Sequence, residues 1–122
     1  MLTWIEIAYG ATLSVIAAVA LVAVVGRERA PLPLLTVAVG AFLGPFAWNA
    51  ILRATDGRRF FTDAPIAVFP ISWQDTGSGV FAIAVLSVLL GFGPLATQSG
   101  RRVVALATLG GLGALVVDIY LY

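Results

Sequence analysis

The sequence contains no cysteine and no histidine. Disulfides, iron–sulfur clusters, haem ligation through either residue and the usual zinc or copper sites are therefore not available from this chain alone. Charge is also scarce: 11% of the residues are charged, and the seven positive ones are all arginine. Because the net charge is only +1, no basic surface for nucleic acid is expected. We expect neither a metal nor a cofactor, and no nucleic-acid partner.

Most of the sequence is apolar. They make up 61% of the chain, and the mean hydropathy is +1.04, whereas soluble domains are about 45–50% apolar and about 25% charged. The composition predicts a multi-pass protein of the cell membrane with membrane lipids around it. The 122 residues predict a single transmembrane domain, 1–122.

Four apolar segments are long enough to cross a hydrocarbon core, which takes about 20 residues. They span approximately residues 2–25, 32–54, 79–97 and 103–122. The runs are continuous rather than alternating, which favours helices over barrel strands. The first segment lacks a basic beginning and contains Glu6, so we expect it to be retained rather than cleaved as a signal peptide. The fold class predicted is an all-α integral membrane protein with four transmembrane helices.

The connections predict how these helices are arranged. Short links join the first helix to the second and the third to the fourth, while the middle loop, about 55–78, is long. We therefore expect two antiparallel hairpins joined by this loop, which should lie at the membrane interface because it carries Phe60, Phe61, Phe69 and Trp73. Both short links carry two arginines each, and the positive-inside rule puts them in the cytoplasm. The termini and the long loop are then non-cytoplasmic.

Polar residues inside the apolar segments form the first candidate site. Glu6, Asn49, Arg53 and Asp118 all fall near the membrane face that the termini share. Since an unpaired charge in the membrane costs about 2.5 kcal/mol or more, Arg53 is expected to pair with Glu6, with Asp118 or with both. Such a pair could only fix helix register. Alternatively, one carboxylate takes part in proton transfer or binds a polar head group.

The long loop supplies the second candidate site, Trp73, Gln74 and Asp75. Asp75, together with Glu6 or Asp118, could protonate a lipid such as an isoprenoid. Serine nucleophiles lack a histidine or lysine base, and no nucleotide-binding or hydrolase motif is present. Acid catalysis by carboxylates is the enzymatic chemistry that this sequence leaves open.

Three functions follow from these patterns. The favoured prediction is a non-catalytic subunit or assembly partner of a larger membrane complex, because the chain shows little chemistry of its own. The first alternative is a membrane enzyme that acts on an isoprenoid or other lipid by carboxylate acid catalysis. The second is a small oligomeric transporter or channel, which the lack of a charge near mid-membrane weakens. The expected partners are membrane lipids and either other membrane subunits or further copies of this chain.

Overall fold

The computed structural model describes residues 3–63, 65 and 70–120. Within these ranges the chain folds into four α-helices and one short 3₁₀ turn, Arg58–Phe61. The α-helices are α1 Trp4–Val24, α2 Pro31–Ala54, α3 Trp73–Phe92 and α4 Gly100–Tyr120. Each is long and apolar enough to cross a membrane. The predicted all-α, multi-pass architecture is confirmed at this level.

The four helices pack around a common centre. α1 and α3 each contact both α2 and α4, whereas α2 and α4 touch only slightly across the middle. The centre is closed by apolar side chains that are almost fully buried, among them Val22, Val37, Leu86, Leu90 and Leu106. In lipid, such packing depends on close approach of helix backbones rather than on expulsion of water.

Two glycines permit that close approach. A Cβ atom added at Gly44 of α2 would lie 2.6 Å from Cα of Ala82 in α3. One added at Gly113 of α4 would lie 2.7 Å from the backbone nitrogen of Ala18 in α1. Both contacts are with backbone atoms, which cannot move aside as the end of a flexible side chain can. Any larger residue would therefore push the paired helices apart.

The helix ends meet in two groups. At one end of the bundle, Trp4 at the start of α1 packs on Phe46 near the end of α2, with ring centroids 5.9 Å apart. Gln74 at the start of α3 reaches Asp118 near the end of α4 there. We call this the polar end. At the opposite, arginine end, Arg102 of α4 donates to the carbonyl of Gly26, 2.8 Å away, just beyond α1.

The start of α3 corrects the sequence prediction. We expected this helix to span about 79–97, but it spans Trp73–Phe92. Ser72 Oγ accepts the N–H of Asp75 at 3.2 Å, and the Asp75 carboxylate accepts the N–H of Ser72 at 2.8 Å. This reciprocal capping box starts the helix.

Glycine often marks a turn, but the glycines at positions 77 and 79 lie within α3. An added Cβ at Gly77 would meet the indole ring of Trp48, so this glycine makes room for a ring from α2. The predicted loop 55–78 is shortened accordingly, and Trp73, Gln74 and Asp75 lie in the first turn of a helix instead. Residues 64 and 66–69 of that loop, including Phe69, lie outside the described residues, as do residues 1, 2, 121 and 122 at the predicted ends of the first and last helices.

Candidate functional site

The side-chain amide of Gln74 connects three helices at the polar end. Its Nε2 lies 2.9 Å from Oδ1 of Asn49 in α2 and 3.1 Å from Oδ2 of Asp118 in α4. It also lies 3.3 Å from Oγ of Ser78, one turn along α3. All four residues are buried. We call them the amide cluster: Asn49, Gln74, Ser78 and Asp118.

Neighbouring groups hold this cluster in place. Asn49 Nδ2 donates to the carbonyl oxygen of Pro45 at 2.9 Å, which fixes its amide and leaves Oδ1 to accept from Gln74. Trp48 Nε1 donates to the backbone carbonyl of Gln74 at 2.9 Å. Because its ring rests on Gly77, the indole anchors the first turn of α3 against α2. The orientation of Gln74 is therefore set by both helices.

Asp118 is the member of the cluster with unused bonding capacity. The residue is only 3% exposed, and its Oδ2 accepts from Gln74. Its Oδ1 is buried and has no hydrogen-bond partner among the described residues. Buried polar atoms nearly always have such a partner, and an unsatisfied one costs about 1–3 kcal/mol or more when charged. This oxygen can therefore accept a further hydrogen bond.

A small polar cavity of about 160 Å³ adjoins the cluster. It is lined by Phe61, Asp63, Ser72, Gln74, Asp75, Asp118 and Ile119. Three of these residues carry carboxyl groups, and none of the described residues in the lining has a positively charged side chain. A cleft whose charges have one sign concentrates the electric field, so this cavity favours cations and hydrogen-bond donors.

A second cavity of about 300 Å³ shares Asp63 and Ser72 with the first. Its lining adds Ile71, Trp73 and the threonines at positions 62 and 76. Trp73 is 70% exposed, so this outer cavity lies at the surface of the bundle. The two cavities are therefore neighbours, the outer one beside Trp73 and the inner one beside Asp118.

The structure brings together residues from both predicted sites. Asn49 and Asp118, expected in an intramembrane polar group, meet Gln74, which was expected in the loop. Asp75 lines the same cavity but uses its carboxylate to cap α3. Trp73 stands at the outer cavity without joining the amide cluster.

Glu6 and Arg53 lie apart from this cluster. Glu6 is exposed and accepts the backbone N–H and the hydroxyl of Thr3, which caps α1. The guanidinium of Arg53 lies over the ring of Trp4, 4.9 Å from its centroid, a cation–π arrangement. The ion pairs recorded for the described residues join Arg58 with Asp56 and Arg102 with Glu28. The expected pairing of Arg53 with Glu6 or Asp118 is not among them.

Ser78 is the cluster member that the sequence prediction missed. It follows Gln74 by four residues, and side chains at this spacing share a helix face. Because α3 was expected to start near residue 79, neither residue was assigned to a helix. The signal that reveals both is the pattern Ser72-x-x-Asp75, which is a capping box before an apolar run.

The arginine end has a different kind of polar contact. Arg102 donates to the carbonyl of Gly26 and, at 3.1 Å, to the carboxylate of Glu28. The backbone N–H of Ala30 and the nearby Arg102 hold the pKa of Glu28 below its ordinary value of 4.5, although partial burial opposes them. These contacts tie the α1–α2 link to α4.

The described residues contain no group of three or more histidine, cysteine, aspartate or glutamate side chains arranged to hold a metal ion. Comparison of the chain with protein-family models, with curated proteins and with solved structures finds no match. The function must therefore be argued from the geometry of the polar end.

Proposed function

We propose that this protein binds the polar head of an amphiphile in the cavity at its polar end. The observation that carries the proposal is the buried Oδ1 of Asp118, an acceptor without a partner among the described residues, beside a cavity lined by carboxylates. An amide cluster that only fixed helix register would satisfy all its own buried atoms. A hydrogen-bond donor on a bound molecule would satisfy Oδ1 of Asp118.

The sizes of the two cavities support a head group with its chain outside. Sites that enclose a whole small molecule occupy about 300–1,000 Å³, whereas the polar inner cavity holds about 160 Å³. It has room for a head group, while the outer cavity leads past Ile71 and Trp73. Aromatic side chains favour the membrane interface, which is the depth at which a lipid head group meets its acyl chains.

The predicted enzymatic alternative would use the same site. Acid catalysis on an isoprenoid or other lipid requires a carboxyl group against the bound molecule. Asp118 fits this role best, because the Asp75 carboxylate is engaged with the N–H of Ser72. Binding alone explains the site without a reaction, so we propose binding as the function and catalysis as a further use of it.

The predicted role as an assembly partner of a larger membrane complex is our second proposal. It is favoured by an aromatic surface at the polar end, where Phe60 and Trp73 flank Arg59 and Trp73 is 70% exposed. Aromatic and arginine side chains are enriched where proteins bind one another. A partner subunit could cover this surface.

We further propose the arrangement in the membrane that the sequence predicted. Two antiparallel hairpins agree with the contacts between helix ends, since the start of each α-helix lies beside the end of its neighbour. The four arginines at the arginine end would be cytoplasmic by the positive-inside rule. The cavity at the polar end would then open on the non-cytoplasmic side.

Mass determination of the intact particle after mild extraction from the native membrane tests both proposals. Binding predicts a particle that retains a defined amphiphile, alone or as a homo-oligomer. Larger protein subunits in the particle would favour the assembly role. A particle with neither retained amphiphile nor partner subunit would contradict both.

A further inference from the structure

We infer that the head group taken by the inner cavity is a primary ammonium, as in an aminophospholipid. The inference rests on the proposed function and specifies its ligand. It follows from the residues that line the cavity and from the buried Oδ1 of Asp118, which has no hydrogen-bond partner among the described residues.

The lining offers carboxyl oxygens as acceptors. Asp63, Asp75 and Asp118 all contribute to it, and Asp118 keeps one buried oxygen open. A primary ammonium has three N–H donors and no acceptor, so it complements this set. Hydrogen bonds between a charged donor and a carboxylate are also about twice as strong as neutral ones.

Other head groups fit less well. A phosphate or sulfate would lie among three carboxyl groups, and the described part of the lining has no positively charged side chain to balance it. A quaternary ammonium has no N–H to donate and is usually held by several aromatic faces. Among the described residues, Phe61 is the one aromatic side chain in the inner lining. A neutral polyol could donate to Asp118 but would leave the negative charge uncompensated.

The test uses the full chain in nanodiscs containing equal parts of phosphatidylethanolamine, phosphatidylcholine and phosphatidylglycerol. Lipids that remain bound after release into the gas phase are identified by native mass spectrometry. We expect phosphatidylethanolamine to be retained above the other two. Asp118→Asn keeps the shape of the side chain and one oxygen that can accept from Gln74. It removes the carboxylate charge and puts an NH2 group in place of the second oxygen.

The retained fraction should fall about tenfold or more in this variant, since each 1.4 kcal/mol is a factor of ten and hydrogen bonds to charged groups contribute more than that. Because a substitution at buried Asp118 could impair folding, Asp63→Asn provides a second variant at an exposed position of the same lining. It should also reduce retention of phosphatidylethanolamine.

Asp56→Asn is the matched control. It removes the same charge from the same connecting segment, but Asp56 pairs with Arg58 and does not line the cavity. Its backbone has a positive φ of 54°, which asparagine tolerates well. Lipid retention should therefore be unchanged.

Each outcome is decisive. Equal retention of phosphatidylethanolamine and phosphatidylcholine, both sensitive to Asp118→Asn, would overturn the ammonium inference while leaving the proposed function intact. If free ethanolamine binds in an Asp118-dependent way and no phospholipid is retained, the ammonium inference is supported and the proposal that the ligand is an amphiphile is overturned. Retention of no lipid and no amine would overturn both.

Discussion

Replacement of Gln74 by methionine tests how much the amide cluster contributes to joining the helices. Methionine has a similar length but no donor, so Asn49 Oδ1 and Asp118 Oδ2 would both lose the amide that reaches them. A buried acceptor left without a partner costs about 1–3 kcal/mol, which gives about 2–6 kcal/mol for two. Hydrogen bonds between membrane helices average only about 0.6 kcal/mol, because the unfolded chain in the membrane also finds partners. We therefore expect the lower part of that range, about 2 kcal/mol.

The free energy of unfolding can be measured by titrating the protein in mixed micelles with a denaturing detergent and following helix content by circular dichroism. Thr12→Val is the control. The hydroxyl of Thr12 donates to the carbonyl of Ala8 at 2.8 Å within its own helix, at an exposed position. Loss of that bond leaves no buried acceptor from another helix, so a change within about 0.5 kcal/mol is expected.

A double-mutant cycle with Asn49→Leu separates the contact from other effects of the substitution. If the amide–amide bond at 2.9 Å links α2 to α3, the two changes together should cost less than their sum, by about 0.5 kcal/mol or more. The reasoning would be refuted if Gln74→Met were no more harmful than Thr12→Val, or if the two changes were additive.

Two further predictions use the same titration. Gly44→Ala should destabilise the protein by about 1–3 kcal/mol through overpacking, because the new methyl would lie 2.6 Å from Cα of Ala82. Gly91→Ala is the control. Its methyl would come no closer than 3.7 Å to a side-chain atom, so this substitution should be neutral or stabilising. The pKa of Glu28 is lowered by the backbone N–H of Ala30 and by Arg102, so these contacts stabilise the fold above the ordinary value of 4.5, and their contribution is lost as the pH falls through the folded-state pKa. Wild type should therefore exceed Glu28→Gln in stability at neutral pH and lose that advantage in acid, and a constant difference at all pH values would contradict the assignment.

The sequence was sufficient to predict the membrane helices because their signal is a sum over about 20 residues. The predicted limits of α1 and α2 lie within about two residues of those in the structure, as is usual for helix ends. The limits of α3 do not, since this helix spans Trp73–Phe92 rather than about 79–97. Glycine, found at positions 77 and 79, often marks a turn. In a membrane helix the same residue type marks a place where another helix approaches, as the ring of Trp48 does at Gly77.

The site was predicted only in parts for a related reason. Depth in the membrane follows from position in the sequence, so Asn49 and Asp118 could be assigned to the same end of the bundle. Which helix faces meet depends on packing that one sequence does not specify. Charge suggested Arg53 as the partner of the carboxylates, yet the neutral amide of Gln74 contacts Asp118. Because an amide is uncharged, a search for opposite charges does not identify it as a partner.

The distribution of buried polar groups along the bundle bears on the transporter alternative. Among the described residues, buried polar side chains comprise six at the polar end and Ser14 in the middle of α1. Towards the arginine end the centre is closed by Val22, Leu86, Leu90 and other apolar side chains that are fully buried. An ion that entered beside Asp118 would meet this apolar layer, which offers no polar groups to replace the ion's hydration shell. Such a layer is a barrier to conduction. A single chain with this core is therefore suited to hold a polar group at one membrane face, and transport would require a path formed between chains.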